Sequence, residues 1–228
     1  DVDPDIVALH DARSNVSEQY RTLRTNLKSI DKKKIKTMVI SSPEEGEGKT
    51  VTAINLAYTF AHDPAKKVLL VDADLRRSKV SDYLGIKEEL AGFTELLLGR
   101  ARFEETVLCT EFNNLQVVLG HDGGSAHNAT EMLESKTMQR LLARWRDEYD
   151  YVVLDSPPVL PVTDAAVLGK QADGLLMVFK AGESQKNTIR HAQHLFEQAN
   201  VNVLGYVMTH VDSIAPGNRD YYYSYYRY

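Results

Sequence analysis

The stretch 37-TMVISSPEEGEGKTVTAINLAYTFA-61 decides the fold. It opens with a short run of strand-forming residues at 37–40, passes through a glycine-rich turn, and continues into a segment of helical periodicity at 50–61. A buried strand that turns directly into a helix is the repeating unit of parallel α/β sheets. The stretch therefore predicts an α/β protein with this turn at the carboxyl end of a strand.

The rest of the chain repeats this alternation of short apolar runs and longer helix-period segments. We predict strands at 37–40, 68–71, 115–119, 151–154, 175–179 and 203–208. We predict helices at 16–30, 50–61, 130–148, 163–171 and 185–199. Asn15 with Glu18, and Asn128 with Glu131, have the spacing of helix starts. The order of elements predicts a doubly wound, mainly parallel sheet with helices on both faces.

Length and composition indicate one compact domain. The 228 residues are 43% hydrophobic and 26% charged, which is ordinary for a globular protein. We assign 1–213 to this domain and 214–228, where polar and aromatic residues follow no period, to a flexible tail. The net charge of −5 argues against a nucleic-acid partner, because such proteins concentrate Lys and Arg on one surface.

Cysteine usage and the lack of long apolar runs predict the compartment. Cys109 is the only cysteine, so no disulfide forms within the chain, as is typical of the reducing cytoplasm. No stretch has the 18 or more apolar residues of a membrane helix. The sequence begins at Asp1 instead of Met, which predicts a fragment or processed form with room for a membrane segment upstream.

The turn at 41–50 has the composition of a phosphate-binding loop. Gly46 and Gly48 let backbone N–H groups approach phosphate oxygens, Lys49 adds a positive charge, and the Thr50 hydroxyl is suited to Mg²⁺. The strict pattern has glycine where this sequence has Pro43, so a glycine-rich turn without a ligand is the alternative. The residues predicted to bind the nucleotide are Glu45, Gly46, Glu47, Gly48, Lys49, Thr50 and Val51.

Two further strands end in carboxylates. The run KVLLVDADLRR places Asp72 and Asp74 after a strand, and YVVLDSPP places Asp155 at the end of another. Carboxyl ends of parallel strands meet at one edge of the sheet, which is where ligands bind in open α/β proteins. One such carboxylate alone is more often a turn former. Together with the loop lysine, the three predict a phosphoryl-transfer site.

This set of motifs resembles the bacterial tyrosine kinases, or BY-kinases, over nearly the whole chain. The resemblance implies a P-loop ATPase fold with ATP and Mg²⁺ as cofactors. It implies Asp72 as the acceptor of the tyrosine proton, with Asp74 and Lys49 completing the catalytic set. It further implies that Thr50, Asp72 and Asp155 hold the metal. Glu44 and Glu45 depart from the family pattern and predict a modest affinity for ATP.

The segment EQYRTLR matches a second family pattern, outside the pocket. Glu18, Arg21 and Arg24 lie three residues apart, so they share one flank of the predicted helix 16–30. From the sequence alone an ion pair within the helix is an equal alternative. The resemblance implies that these residues join subunits into a ring.

The end of the chain, DYYYSYYRY, carries six of the twelve tyrosines. The resemblance implies that they are phosphorylated in trans by a neighbouring subunit: Tyr221, Tyr222, Tyr223, Tyr225, Tyr226 and Tyr228. A packing strand is the alternative, but a core strand needs aliphatic neighbours that this segment lacks. Each phosphotyrosine adds about −1.5 to −2 charges, so we expect a phosphorylated tail to leave the neighbour's pocket.

The resemblance also implies a biological setting. It predicts a homo-oligomer at the inner face of the cell membrane. A transmembrane polysaccharide co-polymerase would activate it, and a phosphotyrosine phosphatase would remove the phosphoryl groups. The process would be capsule or exopolysaccharide synthesis and export. Two alternatives remain: a partition- or division-type ATPase switch, which usually has a second lysine at the position of Glu44, and a nucleotide-binding regulatory subunit.

Overall fold

The computed structural model describes residues 1–30, 35–87, 90–120 and 128–211. In these ranges one seven-stranded sheet has the order β3-β4-β2-β5-β1-β6-β7. Its strands are β1 (Thr37–Ser41), β2 (Val68–Asp72), β3 (Val107–Cys109), β4 (Leu115–Val118), β5 (Tyr151–Asp155), β6 (Gly174–Lys180) and β7 (Val203–Thr209). All neighbouring strands are parallel except β3 and β4. The predicted mainly parallel α/β sheet is confirmed, and β3 is a short edge strand that the sequence pattern missed.

The helices cover both faces of the sheet, as predicted. Those before β3 are α1 (Val7–His10), α2 (Asn15–Ser29), α3 (Lys49–Ala61), α4 (Val80–Leu84), α5 (Phe93–Leu97) and α6 (Phe103–Thr106). Those after β4 are α7 (Ala129–Glu134), α8 (Lys136–Glu148), α9 (Asp164–Gln171) and α10 (Lys186–Gln198). Among the described helices none has the length and apolar composition needed to cross a membrane.

The prediction of a single helix at 130–148 is wrong, because the helical backbone is interrupted at Ser135. Ser135 has an extended backbone, with φ −64° and ψ 157°, and its hydroxyl accepts a hydrogen bond from the Met138 amide at 3.2 Å. It therefore ends α7 and caps α8. The predicted capping box at Asn128 does not form, since the Asn128 side chain makes no cap hydrogen bond. The start of α2 also differs, because Ser14 and not Asn15 is its N-cap.

Two apolar layers hold the sheet between them. On one face Trp145 of α8 is fully buried beside Phe93 and Phe103, with ring centroids 6.0 and 5.8 Å away. On the other face α3 lies between the sheet and the N-terminal segment, whose Ile6 is fully buried. Eleven of the thirteen α3 residues are buried, so the helix that begins at the glycine-rich turn has little freedom to move.

Candidate active site

The phosphate-binding loop connects β1 to α3 and depends on two glycines in a left-handed conformation. Gly46 has φ 78° and Gly48 has φ 89°, a region that L side chains rarely adopt. Gly48 is also the N-cap of α3, so the first turn of this helix directs its N–H groups and its positive dipole end toward the loop. The arrangement fits an anion such as a triphosphate.

Lys49 lies between two carboxylates, one just after β2 and one at the end of β5. Its ammonium Nζ is 3.1 Å from Asp74 Oδ2 and 4.0 Å from Asp155 Oδ1. Burial alone would lower the pKa of Lys49, but the charges of Asp155 and Asp74 outweigh this effect and the pKa is raised. The lysine is therefore a fixed positive charge at neutral pH, as phosphate binding requires.

Asp155 and Thr50 supply oxygen ligands of the kind that Mg²⁺ prefers. The Thr50 hydroxyl donates to Asp155 Oδ2 at 2.7 Å, and the fully buried Oδ1 has no hydrogen-bond partner. Burial raises the pKa of Asp155 to about 6, although Lys49 and Thr50 act to lower it. No group of three His, Cys, Asp or Glu side chains in the described ranges could enclose a cation by itself. A magnesium ion here would complete its shell with nucleotide oxygens and water.

Asp72 lies directly beside Asp155, as the two are partners in the register of β2 and β5. Its Oδ2 accepts hydrogen bonds from the Ser78 hydroxyl at 2.6 Å and from the amides of Lys79 and Val80 at 3.1 and 3.0 Å. Complete burial, reinforced by the charge of Asp155, raises the pKa of Asp72 to about 7. A carboxylate with a pKa near neutrality is suited to accept a proton.

Gly120 leaves room for the Asp72 side chain. A Cβ at this position would lie 2.7 Å from Ser78 Oγ and 3.1 Å from Asp72 Cγ. Any larger residue at the end of β4 would therefore displace the candidate base or its hydrogen-bond donor. Sequence reasoning missed this contact, although a glycine just after a strand is a signal of close approach.

Asp74 joins the loop after β2 to the pocket. Its Oδ1 accepts hydrogen bonds from the backbone amides of Arg76 and Arg77 at 3.2 and 2.9 Å, while Oδ2 faces Lys49. The pocket beside it has a volume of about 270 Å³. Its lining is Glu45, Gly46, Gly48, Lys49, Thr50, Val51, Asp74, Arg76, Arg77, Lys79, Tyr83, Pro157, Pro158, Pro161 and Val162. Of the predicted nucleotide-binding residues, Glu47 is absent from this lining.

The Arg76 side chain forms a polar contact that the sequence did not predict. Its Nε is 2.7 Å from Asp164 Oδ2 and its Nη2 is 3.1 Å from Asp164 Oδ1. Thr130 also donates to Asp164 Oδ1, at 2.6 Å. Asp164 is fully buried at the start of α9, so this bidentate pair fixes the loop after β2 to two helices.

The acidic loop residues differ in how they are placed. The exposed carboxylate of Glu45 pairs with the Arg77 guanidinium across the mouth of the pocket. The charge of Glu45 is therefore offset in part before any phosphate arrives. The modest ATP affinity expected from Glu44 and Glu45 stays a prediction.

The predicted oligomerisation residues make contacts within their own chain. Arg21 pairs with Glu18 and also donates to the Ala12 carbonyl. Arg24 donates to the Thr59 carbonyl at 2.7 Å, in the last turn of α3. The Glu18–Arg21 pair matches the alternative of an ion pair within the helix, whereas Arg24 joins α2 to α3, and an inter-subunit role stays a prediction. The tyrosine tail lies outside the described residues.

The comparisons with known proteins agree with this geometry. The AAA domain family AAA_31 matches residues 35–202. Tyrosine-protein kinase YwqD of Bacillus subtilis is 38% identical over 205 residues, covering 89% of this chain and 84% of YwqD. Tyrosine-protein kinase CpsD of Streptococcus pneumoniae serotype 4 is 34% identical over 195 residues, covering 86% of this chain and 84% of CpsD. The kinase domain of Escherichia coli tyrosine kinase ETK superposes with a TM-score of 0.82 at 29% identity, over 89% of this chain and 78% of that domain.

Two further comparisons concern the ATPase alternative and the length of the relatives. MinD of Pyrococcus horikoshii, a septum site-determining protein, has a TM-score of 0.66 at 22% identity, which is a likeness of fold alone. Tyrosine-protein kinase ptk of Acinetobacter johnsonii is 31% identical over 213 residues, but these amount to 28% of its length. Nucleotide binding follows from the fold and the relatives together. The chain belongs to the AAA_31 domain family and, within it, to the bacterial tyrosine-protein kinases.

Proposed function

We propose that this chain transfers the γ-phosphoryl group of ATP to tyrosine hydroxyls. One observation carries the proposal: Lys49 and three carboxylates, Asp72 and Asp155 at strand ends and Asp74 just after β2, gather at one phosphate-binding loop. A site for phosphoryl transfer needs little more than positive charge, metal ligands and a proton acceptor held in position. These four side chains supply each of them.

In the proposed reaction Asp72 has two tasks, as proton acceptor and as metal ligand. The tyrosine oxygen attacks the γ-phosphorus, the bond from this phosphorus to the β–γ bridging oxygen breaks, and ADP leaves with the electron pair. Asp72, whose pKa burial raises to about 7 in the metal-free protein, takes the phenolic proton. Lys49, held by Asp74, neutralises charge on the transferring group. Bound Mg²⁺ would neutralise further phosphate charge, with Thr50, Asp155 and Asp72 as its protein ligands.

The proposed substrates and partners follow from the family. We propose that the first substrate is the tyrosine tail of a neighbouring copy, Tyr221 to Tyr228, within an oligomer formed through Glu18, Arg21 and Arg24. We further propose a transmembrane polysaccharide co-polymerase as activator, a phosphotyrosine phosphatase as antagonist, and a place at the inner face of the membrane. The much greater length of ptk is consistent with a kinase domain that works beside other segments.

Incubation with MgATP followed by anti-phosphotyrosine blotting tests this function. We expect the wild-type chain to acquire phosphotyrosine in 214–228 and the Lys49→Met variant to acquire none, because the variant lacks the charge that holds the phosphates. Parallel assays measure ATP hydrolysis. Hydrolysis without phosphotyrosine would contradict the kinase proposal and favour an ATPase switch.

A further inference from the structure

The side chain of Glu47 points away from the pocket and into the protein. The residue is 4% exposed, although it lies in the middle of the phosphate-binding loop. Its Oε2 accepts a hydrogen bond from the Glu44 amide at 2.8 Å, and its Oε1 accepts one from the Ser184 hydroxyl. The carboxylate therefore links the beginning of its own loop to a residue 137 positions further along the chain.

The partners of Glu47 belong to the ends of two other strands. Ser184 follows β6, and its hydroxyl is itself fixed because it accepts a hydrogen bond from the Lys180 amide at 2.8 Å. Thr209, the last residue of β7, donates from its hydroxyl to the Glu47 carbonyl at 2.8 Å. The middle of the loop is thus held both by its backbone and by its side chain.

A carboxylate in this position is unfavourable by charge alone. Burial raises the pKa of Glu47, which shows that the surroundings disfavour its charged form. A negative charge beneath a loop that binds a triphosphate also repels the ligand. The contacts of the carboxylate, and not its charge, are therefore the feature that can favour nucleotide binding.

We propose that Glu47 is a positioning residue of the phosphate-binding loop. By holding the Glu44 amide and the Ser184 hydroxyl, it keeps the loop in the curvature that accepts phosphates before the nucleotide arrives, and so raises nucleotide affinity. Preorganisation of this kind removes an ordering cost from the binding step. The inference rests on the proposed function only in that the loop binds a nucleotide.

Two substitutions of nearly equal size separate contact from charge. Glu47→Gln removes the charge but keeps an acceptor for the Glu44 amide and a polar group for Ser184. Glu47→Met removes the charge and both contacts. A third variant, Ser184→Ala, removes the Ser184 contact of Glu47 from outside the loop, together with the hydrogen bond from the Lys180 amide. Glu183→Met is the matched control, because Glu183 is an exposed neighbour of Ser184 that pairs with Lys180.

Titration calorimetry with MgADP gives the affinities without turnover. We expect Glu47→Met to weaken MgADP binding about tenfold or more, and Glu47→Gln to stay within about threefold of wild type. The MgADP affinity of Ser184→Ala should lie between those of the two Glu47 variants. The double variant Glu47→Met with Ser184→Ala should bind MgADP no more weakly than Glu47→Met alone, because both substitutions remove the same contact. Glu183→Met should stay within about twofold of wild type.

Four results would overturn the inference. If Glu47→Met and Glu47→Gln both tighten MgADP binding, the residue acts only through its charge. If both weaken it equally, the contacts are not responsible. If Glu47→Met lowers the unfolding temperature of the nucleotide-free protein while the folded fraction binds MgADP normally, the role is structural. Ser184→Ala keeps the test available if Glu47→Met does not fold, since normal binding by Ser184→Ala also contradicts the inference. Wild-type protein that binds MgADP but phosphorylates no tyrosine would contradict the proposed function instead.

Discussion

Asp72 and Asp155 are neighbouring carboxylates that the fold buries completely at the ends of β2 and β5. Burial raises the pKa of each, to about 7 for Asp72, where the charge of Asp155 adds to the rise, and to about 6 for Asp155, where Lys49 acts against it. Two carboxylates in such a place oppose folding when both are charged. The two carboxylates therefore destabilise the empty protein. A bound cation would attract both of them and so replace this repulsion by a favourable interaction.

The first prediction concerns the stability of the metal-free protein. A carboxyl whose pKa is raised on folding contributes stability while it is neutral, and this contribution is lost as the pH rises from the unfolded pKa to the folded one. For Asp72 the loss spans about pH 4 to pH 7. Asp72→Asn does not titrate and does not lose this stability. We therefore expect the free energy of unfolding of Asp72→Asn minus that of wild type to increase by about 1 kcal/mol from pH 6 to pH 8.

Thermal unfolding of both proteins in chelator, at pH 6 and at pH 8, measures this difference. Adding Mg²⁺ and ADP should reverse the order of stability at pH 8, because the wild type gains more from the bound cation. A difference that is the same at both pH values would contradict the assigned pKa of Asp72.

Some contacts between single residues could be predicted from the sequence, and others could not. Lys49, Thr50 and Asp155 meet as predicted, because a phosphate loop and a strand-end carboxylate each have a fixed place in a parallel sheet. The contacts of Asp164 and Ser184 were missed, since they join residues 88 and 137 positions apart. A single sequence contains no pattern that selects one distant serine or aspartate from many.

The loop between β2 and α4 is the element that assembles the acidic side of the pocket. Its backbone amides hold Asp74, and its Arg76 reaches the buried Asp164 at the start of α9. Asp164 is fully buried, whereas the Arg76 side chain is 27% exposed. Leaving Asp164 without its partner therefore costs more free energy than leaving Arg76 without its partner. This asymmetry gives a prediction.

We predict that Arg76→Met destabilises the protein more than Asp164→Asn does. Arg76→Met leaves a charged Asp164 buried without its cation, which costs about 3 to 5 kcal/mol. Asp164→Asn removes the buried charge and leaves Arg76 near solvent, so we expect a cost of about 1 to 2 kcal/mol. Denaturant unfolding monitored by Trp145 fluorescence measures both.

The double variant tests whether the two residues act together. If they do, the cost of Arg76→Met with Asp164→Asn is smaller than the sum of the single costs. Additive costs, or a larger cost for Asp164→Asn, would contradict the role assigned to the pair.

The periodicity of apolar residues predicts the boundaries of some helices and misses those of others. Helices α3, α9 and α10 begin and end within one residue of prediction, because apolar residues repeat along them with helical period and Gly48 marks the start of α3. The break at Ser135 was missed because Met132 and Leu133 of α7 and Met138 of α8 continue an apparently single apolar stripe. A serine within such a stripe is compatible with either a helix interior or a cap.

At the scale of the whole molecule, α2 and α3 connect the surface to the pocket. Arg24 of α2 holds a carbonyl in the last turn of α3, and the first turn of α3 carries Lys49. Glu18 is more exposed than Arg24, with 67% of its side chain accessible. The two residues should therefore respond differently to substitution, even if both lie at a subunit contact.

We predict that Glu18→Lys disrupts assembly while leaving the unfolding temperature nearly unchanged, because an exposed ion pair contributes little to stability. Arg24→Ala should disrupt assembly and also lower stability by about 1 to 2 kcal/mol, through the loss of its bond to the Thr59 carbonyl. Sedimentation velocity and thermal unfolding of each variant provide the two measurements. Glu18→Lys protein that assembles as the wild type does would contradict an inter-subunit role for this flank of α2.

Transfer between copies is the central claim, and a mixing experiment tests it most directly. One chain carries Lys49→Met with an intact tail, so it has acceptors but no activity. The other chain has Phe in place of the six tail tyrosines, so it has activity but no tail acceptors. After incubation of the mixture with MgATP, mass spectrometry should find phosphotyrosine in residues 214–228 of the Lys49→Met chain, and none there when that chain is incubated alone. A tail that stays unmodified in the mixture, while wild-type protein phosphorylates its own, would contradict transfer in trans.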